Sequence, residues 1–315
     1  MNRIRNNRQF HGKVMLFGEY SVILGSSALL VPFKAAWGEL CFPVEAFKDD
    51  LVISSNNSLN SFAGYLTKLV KEGKMNKGFE LKRFKSDISK GLYFNSRIPE
   101  NYGLGSSGAL CAAIYEEYGI SFKKLSWNNG SEVLKKLKET FSRMESYFHG
   151  SSSGTDPLCI YTDSPIHIDL KGEPVIVDPG AGLFGKLKPF LINTLSAGYT
   201  SVLVLKFLEK IKEPNLRNTF MNDYVPYVNR AVEQFISGNP EMESILEISR
   251  KQLKYFSNKI PGRYHDAWIQ GIDTGLYALK LCGSGGGGMV LGFSQDFEKS
   301  RNYLLKNHHI PIAAL

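Results

Sequence analysis

The amino-acid sequence predicts an α+β protein of two domains, and three observations support this prediction. At 315 residues the chain is longer than most single hydrophobic cores. Short apolar runs with strand character alternate along it with longer segments of helical periodicity. A segment rich in turn formers, DPGAGLFG at 178–185, separates these elements into two groups. We therefore predict one domain at residues 1–182 and a second at 183–315.

The elements of the first domain follow from local patterns. Val14–Phe17 has the character of a short buried strand, and another apolar segment, Ser21–Leu24, follows a turn. Further strands are predicted to end at Ile98 and to cover 166–168 and 174–177. Helices are predicted at about 61–72, 107–118 and 131–148 from the spacing of their apolar residues.

The second domain is predicted to begin with strands at 189–194 and 201–206, followed by long helices near 214–237 and 240–257. Near its end the sequence LKLCGSGGGGMVLG places a run of glycines, Gly283–Gly288, between two apolar strands. A flexible linker would have polar flanks, so this turn lies inside a packed domain. A glycine turn between strands indicates the close approach of a ligand or of another backbone segment.

Composition excludes several classes of protein. The chain is 43% hydrophobic and 22% charged, as in soluble globular proteins. Its net charge of +8 suits an anionic ligand and by itself would admit nucleic acid. The basic residues are scattered, however, apart from a cluster at Arg3, Arg5 and Arg8, and the sequence has no aromatic-basic RNA motif. We therefore predict no nucleic-acid partner.

The cysteines and the apolar runs indicate the cellular compartment. The four cysteines, Cys41, Cys111, Cys159 and Cys282, are widely spaced without a CxxC pair, which is typical of buried free thiols in a reducing cytoplasm. No apolar run approaches the length of a transmembrane helix, and the basic N-terminus lacks the apolar core of a signal peptide. We predict a cytoplasmic protein without a membrane partner.

A glycine-rich loop runs directly into a helix at NYGLGSSGALCAAIYEE, residues 101–117. Gly103 and Gly105 allow the backbone to turn tightly, and Ser106 and Ser107 stand where the helix begins. The free N–H groups of a first helical turn bind phosphate, and a serine hydroxyl there can reach a magnesium ion. The spacing is neither that of a Walker A loop nor GxGxxG. Taken alone, an ordinary capped helix explains the loop equally well.

Two carboxylates and a lysine are the candidates for chemistry. Glu145 lies near the end of the predicted helix at 131–148, and Asp156 follows a loop rich in serine and glycine. At this separation one carboxylate can hold magnesium while the other faces a substrate hydroxyl. Commoner roles are a solvated helix residue for Glu145 and a turn former before Pro157 for Asp156. Lys13, at the edge of a buried strand, is either paired or extends to solvent.

Together these segments resemble the GHMP kinase superfamily. GKVMLFGEYSVILG, PENYGLGSSGA and LCGSGGGG correspond to its three motifs, in the expected order over residues 12–288. The stretch MESYFHGSSSGTDPL is most similar to mevalonate kinases of the compact flavobacterial type. The resemblance implies the two-domain GHMP kinase fold, with an N-terminal domain like ribosomal protein S5 domain 2 and a ferredoxin-like C-terminal domain. It also implies ATP-dependent phosphorylation of the primary hydroxyl of mevalonate, giving 5-phosphomevalonate and ADP for isoprenoid biosynthesis.

The resemblance assigns expected roles to individual residues. Asp156 matches the aspartate that contacts the substrate hydroxyl, and Lys13 matches the lysine that pairs with it. A nearby lysine makes an aspartate a weak base, so whether Asp156 removes a proton or orients the hydroxyl is left open. Glu145 and Ser107 match the magnesium ligands, with Ser106 as the near alternative to the serine.

The expected ligands are ATP, Mg²⁺ and mevalonate. Residues matched to the ATP phosphates are Gly103, Leu104, Gly105, Ser106, Ser107, Gly108, Gly283, Ser284, Gly285 and Gly286. Residues matched to the substrate end are Glu19, His149, Ser153, Gly154 and Thr155. For His149, positioning is favoured over acid–base work. The sequence leaves the oligomeric state open, a homodimer included.

Three departures from the mevalonate kinase pattern keep other functions open. Tyr20 replaces a common histidine, Glu100 and Tyr102 replace small residues, and 191–200 matches a substrate-side stretch only loosely. The alternatives are a phosphomevalonate kinase or another GHMP small-molecule kinase and, less favoured, a decarboxylase of the same superfamily. A ligand-binding protein without turnover is disfavoured because Lys13 and both carboxylates are present.

Overall fold

The computed structural model describes residues 8–43, 49–75, 79–119, 131–178, 180, 182–198 and 200–315. Contacts divide the chain into two compact units, each assembled from separated segments. The first unit comprises the chain up to Lys13 together with Pro32–Pro99 and Gly105–Asp163. The second comprises Val14–Val31, Glu100–Leu104 and Ser164–Leu315. The domain boundary at 182/183 stays a prediction, and Pro179 and Ala181 of its turn-rich segment lie outside the described residues.

Helices and sheets are both present, which confirms the α+β class. The strands are β1 (Phe10–Phe17), β2 (Ala28–Cys41), β3 (Tyr93–Ser96), β4 (Ile166–Ile168), β5 (Pro174–Ile176), β6 (Lys188–Asn193), β7 (Tyr277–Leu281), β8 (Met289–Ser294) and β9 (Ala313–Ala314). The α-helices are α1 (Asp50–Lys71), α2 (Leu81–Ser89), α3 (Ser106–Tyr118), α4 (Ser131–His149), α5 (Thr155–Thr162), α6 (Thr200–Lys210), α7 (Pro214–Asp223), α8 (Val225–Ile236), α9 (Met242–Phe256), α10 (His265–Thr274) and α11 (Phe297–His308). Short 3₁₀ helices cover Ser21–Leu24, Ser257–Lys259 and Gly262–Tyr264.

The first unit is built from helices around a short antiparallel pair of strands. The second part of β2 pairs with β3, with Gly38 opposite Ser96. Helix α1 packs on β3, and α3, α4 and α5 pack against one another. At the centre of these three helices the ring of Phe141 lies 5.2 Å from that of Tyr115 and 5.4 Å from that of Tyr161. This core fixes the relative positions of the helix ends that carry the candidate site.

The second unit contains an antiparallel sheet in the order β7-β8-β6-β9. The first part of β2 pairs with β4, and β4 pairs with β5. Helix α9 packs on β7, and α10 packs on both of these elements. Phe17 joins the core of this unit, with ring centroids 4.8 Å from Phe235 and 6.0 Å from Phe293.

Helices α3 and α4 confirm the predictions at 107–118 and 131–148. Helix α1 begins eleven residues before its predicted start at 61, because the side chain of Asp49 accepts a hydrogen bond from the N–H of Leu51 and caps a segment rich in Ser and Asn. The predicted helix at 214–237 is divided into α7 and α8. Pro226 accounts for the break, since it lacks the N–H that a continuous helix needs.

The predicted strand at 201–206 is wrong, because this segment belongs to helix α6. Its apolar run looks continuous in the sequence, but its burial follows a spacing of four residues. Phe207 and Ile211 are buried, whereas Val202 and Leu205 are 48% and 65% exposed. Residues four apart lie on one face of a helix and also on one face of a strand. A strand, however, would place Leu205 on the same face as Phe207, and Leu205 is exposed, so the burial follows the helix.

Two further predictions concern the whole chain. The cysteines are free thiols, of which Cys111, Cys159 and Cys282 are buried and Cys41 is half-buried. Among the residues that the structure describes, none of the helices combines the length and the apolar character that crossing a membrane requires.

Candidate active site

The candidate active site lies in the first unit, where the starts of α3 and α5 meet the end of α4. Helix α3 begins at Ser106 directly after Gly105, and α5 begins at Thr155 directly after Gly154. The first turns of the two helices are in contact, since a Cβ atom added to Gly108 would lie 3.1 Å from the nitrogen of Pro157. Both helices therefore present their N-terminal turns at the same place.

Lys13 and Asp156 form a buried ion pair at this place. The Nζ atom of Lys13 lies 2.8 Å from Oδ2 of Asp156, and the side chains are 3% and 30% exposed. The stem of Lys13 packs against the start of α3, because a Cβ atom on Gly105 would lie 3.0 Å from Lys13 Cγ. Lys13 is thus paired with a carboxylate rather than extended to solvent. Asp156 stands in the first turn of α5, where the helix dipole favours a negative charge.

Glu145 is a second carboxylate of the site, and it is buried on α4. It follows Phe141 by four residues, which places it on the apolar face of the helix. Its Oε1 accepts a hydrogen bond of 3.0 Å from Ser107 Oγ, and its Oε2 accepts one from Ser152 Oγ. Burial and, to a smaller extent, the negative charge of Asp156 together raise the pKa of Glu145 to about 7, against the lowering effect of the two hydroxyl donors and of Lys13.

Ser107 connects Glu145 to His149. Its Oγ lies 3.1 Å from Nε2 of His149. A serine hydroxyl has one hydrogen, and Ser107 donates it to Glu145, so the N–H at Nε2 of His149 donates to Ser107. Desolvation lowers the pKa of His149 below its usual value, with the charge of Asp156 opposing this effect. The ring is therefore neutral at neutral pH and holds the serine in place.

Ser152 forms hydrogen bonds with two parts of the site, and it was not among the residues predicted from the sequence. Its hydroxyl donates to Glu145 and accepts a hydrogen bond of 3.0 Å from the N–H of Gly154. Ser152 therefore connects the carboxylate of Glu145 to the loop that leads to Asp156. The available signal was the run Ser151–Ser153 directly after the glycine that ends α4.

The remaining loop residues bind one another. Ser153 Oγ donates to Thr155 Oγ1 at 3.0 Å, and Thr155 is buried. Gly154 lies so close to α4 that a Cβ atom would be 2.0 Å from the carbonyl oxygen of Lys138. These contacts order the approach to α5, and the substrate contacts expected for the three residues stay predictions.

The other matched residues belong to the second unit. Glu19 forms a buried ion pair with Lys280 of β7. Leu104 is buried, and a Cβ atom on Gly103 would lie 2.6 Å from the carbonyl oxygen of Cys282, directly before the glycine cluster. Within that cluster the N–H of Gly288 donates to the carbonyl of Ser196. The expected contacts of these residues with ATP or substrate stay predictions.

The donor set of the first unit fits a magnesium ion that is shared with phosphates. Within the described residues no group of three or more His, Cys, Asp and Glu side chains could hold a metal by itself. Mg²⁺ typically takes one or two carboxylates and completes its shell with water and phosphate oxygens. Glu145 and the adjacent Ser107 hydroxyl supply such a partial set, and a divalent cation would favour the carboxylate that burial disfavours.

Residues 62–163, which include α3, α4 and α5, match the family model of the GHMP kinases N terminal domain. This segment is a GHMP kinase N-terminal domain. GHMP kinases are ATP-dependent kinases of small molecules. The match covers the Ser107–Glu145 contact and Asp156, while Lys13 lies before it.

Solved structures extend the GHMP kinase fold to the whole chain. A mevalonate kinase from L. major in complex with R-mevalonate is 16% identical, with a TM-score of 0.62 over 97% of this chain and 93% of that one. A mevalonate kinase from Methanococcus jannaschii is 18% identical, with a TM-score of 0.61 over 99% and 98%. A phosphomevalonate kinase from Streptococcus pneumoniae with phosphomevalonate and AMPPNP is 17% identical, with a TM-score of 0.62 over 98% and 100%. These likenesses establish the fold. No curated protein sequence matches the chain.

Proposed function

We propose that this protein transfers the γ-phosphoryl group of ATP to the primary hydroxyl of mevalonate. The observation that carries the proposal is the buried Lys13–Asp156 pair beside the Ser107–Glu145 contact, at the first turn of α3 in a GHMP kinase domain. Structures of similar fold include a mevalonate kinase with bound R-mevalonate, which supports mevalonate as the acceptor.

The start of α3 suits the phosphates of ATP. Gly105 precedes the helix and has no side chain with which to cap the first-turn N–H groups, so these can donate to phosphate oxygens. The buried ammonium of Lys13 adds a positive charge against the same turn. Phosphoryl transfer requires mainly positioning and charge neutralisation, and these groups supply both.

Asp156 orients the acceptor in this proposal. Its carboxylate is partly exposed, so it can accept a hydrogen bond from the mevalonate hydroxyl while Lys13 holds the other side. As the hydroxyl oxygen bonds to the γ-phosphorus, the bond from phosphorus to the bridging oxygen of ADP breaks. The hydroxyl proton then passes to Asp156 or to solvent.

Glu145 and Ser107 would hold Mg²⁺, which neutralises phosphate charge when bound. Ser152 and His149 keep these two ligands in position through their hydrogen bonds.

The experiment is a measurement of ADP release with ATP, Mg²⁺ and each of four acceptors: mevalonate, phosphomevalonate, homoserine and galactose. We expect turnover with mevalonate that falls at least about 100-fold in Asp156→Asn, with ATP binding retained. Asp163→Asn is the matched control, because Asp163 ends the same helix and pairs with His11 and Lys34.

The outcomes separate the chemistry from the substrate. Turnover with phosphomevalonate or another acceptor alone would keep a GHMP kinase and refute mevalonate. Near-normal turnover in Asp156→Asn would refute the assigned site. ATP binding without turnover on any acceptor would favour the ligand-binding alternative.

A further inference from the structure

We propose that Tyr20 and Lys259 are positioning residues that hold the third glycine motif, Gly283–Gly288, in its functional shape. The inference rests on the proposed function in one respect, since it takes this motif to contact the phosphates of ATP. The contacts that support it lie entirely within the second unit.

Tyr20 bonds directly to the motif. Its buried phenol donates a hydrogen bond of 2.5 Å to the carbonyl oxygen of Ser284. Burial raises the pKa of this phenol, so it remains a donor throughout the neutral range. Tyr20 also has a backbone φ of +63°, a conformation that residues with a side chain rarely adopt. Such a conformation persists only where the surroundings determine it.

Aromatic rings and one cation provide those surroundings. The ring of Tyr20 lies 4.8 Å from Phe256 and 4.8 Å from Phe207, measured between centroids. The Nζ atom of Lys259 lies 3.5 Å from the centroid of the Tyr20 ring and donates a hydrogen bond of 3.2 Å to the carbonyl of Leu203. A cation over the face of a desolvated ring is an attractive contact. Lys259 therefore fixes the ring whose hydroxyl holds Ser284.

Lys259 also contacts the motif through its main chain. Its carbonyl oxygen accepts a hydrogen bond of 2.7 Å from the N–H of Gly286. A Cβ atom on Gly285 would lie 2.8 Å from the same oxygen, and one on Gly286 would lie 2.7 Å from Leu203 Cδ1. At Gly285 this backbone contact leaves no room for a side chain, and at Gly286 the φ of +76° favours glycine, both irrespective of any ligand.

Tyr20 and Lys259 bind backbone groups of opposite hydrogen-bonding character in the motif, one an acceptor and the other a donor. Tyr20 holds a carbonyl, that of Ser284, and Lys259 holds an N–H, that of Gly286. A run of four glycines has little intrinsic preference for one backbone conformation. Tyr20 of the first motif and Lys259 of the 3₁₀ helix after α9 thus supply a constraint that the run of glycines lacks. The tyrosine that departs from the family histidine at position 20 acquires a specific role in this arrangement.

The experiment compares four variants of the full chain by amide hydrogen exchange without ligand and by steady-state kinetics. Tyr20→Phe removes only the donor to Ser284, and Lys259→Met removes the cation but keeps the carbonyl. Tyr277→Phe and Lys251→Met are matched controls, because each loses a comparable bond, to Ala267 and to Asp223, elsewhere in the same unit.

We expect exchange in Ser284–Gly288 to become about five-fold faster or more in Tyr20→Phe and Lys259→Met, as the loss of one hydrogen bond predicts, and to stay unchanged in the controls. The KM for ATP should rise by a similar factor, with kcat and the KM for the acceptor nearly unchanged. Exchange equal to that of the controls would overturn the inference. Absence of turnover in the wild type would refute the proposed function alone, because the exchange result does not depend on it.

Discussion

Two glycines that flank the serine run before α5 test how the site is held. Gly150 and Gly154 both have φ of +74°. A Cβ atom on Gly150 would meet nothing within 4 Å, whereas one on Gly154 would lie 2.0 Å from the carbonyl oxygen of Lys138 and 2.5 Å from the nitrogen of Ser142. The same substitution therefore adds backbone strain at both positions and a steric conflict with α4 at only one.

The expected magnitudes follow from that difference. An alanine at positive φ costs roughly 1–2 kcal/mol, which is the whole expected loss in the free energy of unfolding for Gly150→Ala. Gly154→Ala adds an overpacking cost of about 1–3 kcal/mol, because backbone atoms of α4 cannot yield as a flexible side chain would. Gly154 stands two residues before Asp156, and a displacement of about 1 Å there should lower turnover about 100-fold.

Urea denaturation followed by circular dichroism measures the stability of both variants, and ADP release measures their turnover. Gly150→Ala serves as the control and should retain turnover within a few-fold. Equal losses of stability in the two variants would refute the reasoning, since the space around each Cβ would then have no effect.

Three further predictions concern charged residues. Lys13→Met should lower the free energy of unfolding by about 1–3 kcal/mol, which is less than for a fully buried ion pair because Asp156 is partly exposed. Adding Asp156→Asn should recover much of this loss. Additive losses in the double-mutant cycle would contradict a stabilising interaction between Lys13 and Asp156. Burial raises the pKa of Glu145 from 4.5 to about 7, so its ionised form destabilises the metal-free native state above pH 7. At pH 8 the variant Glu145→Gln should therefore melt no lower than the wild type, while its turnover falls about 100-fold or more. A clearly lower melting temperature of the variant would contradict this prediction. Burial, aided by the charge of Lys210, lowers the pKa of Lys259 from 10.5 to about 7, while the facing Tyr20 phenol stays protonated. Because the unfolded chain binds one more proton between these two pH values, this amine makes the free energy of unfolding rise from pH 7 towards pH 10. Lys259→Met should therefore show a smaller rise in the denaturation midpoint between pH 7 and 9 than the wild type, and an unchanged rise would contradict the prediction.

The parts of the site that sequence could predict are those with local patterns. Helices α3 and α4 follow from apolar spacing, whereas the burial of Glu145 was not predicted, because a glutamate on a helix is more often solvated. The hydrogen bond from Ser152 to Glu145 could not be predicted, because it depends on how the loop before α5 folds back on α4. The periodicities of helices and strands describe residues within one element, and they do not predict a contact between a loop residue and a helix.

The contacts that could not be predicted from the sequence are those between residues far apart in the chain. Tyr20 and Lys259 are separated by more than two hundred positions, and no local pattern relates one to the other. The error at α6 has a related cause, since the face that is buried there is decided by tertiary packing around Phe207. Local patterns selected Lys13, Glu145 and Asp156 as candidates, but they did not select residues such as Ser152 that contact them.

The interleaving of the two units has a consequence for synthesis. Val14–Val31 and Glu100–Leu104 leave the ribosome long before Ser164–Leu315, the segment with which they form one unit. The nascent chain up to Asp163 therefore holds Phe17 without Phe235 and Phe293, whose rings pack against it in the folded unit. Long-range closure of this kind slows folding more than it reduces final stability. The growing chain thus lacks two aromatic partners of Phe17 until its last half has been made, and apolar surface left exposed in this way makes unfinished chains prone to aggregate.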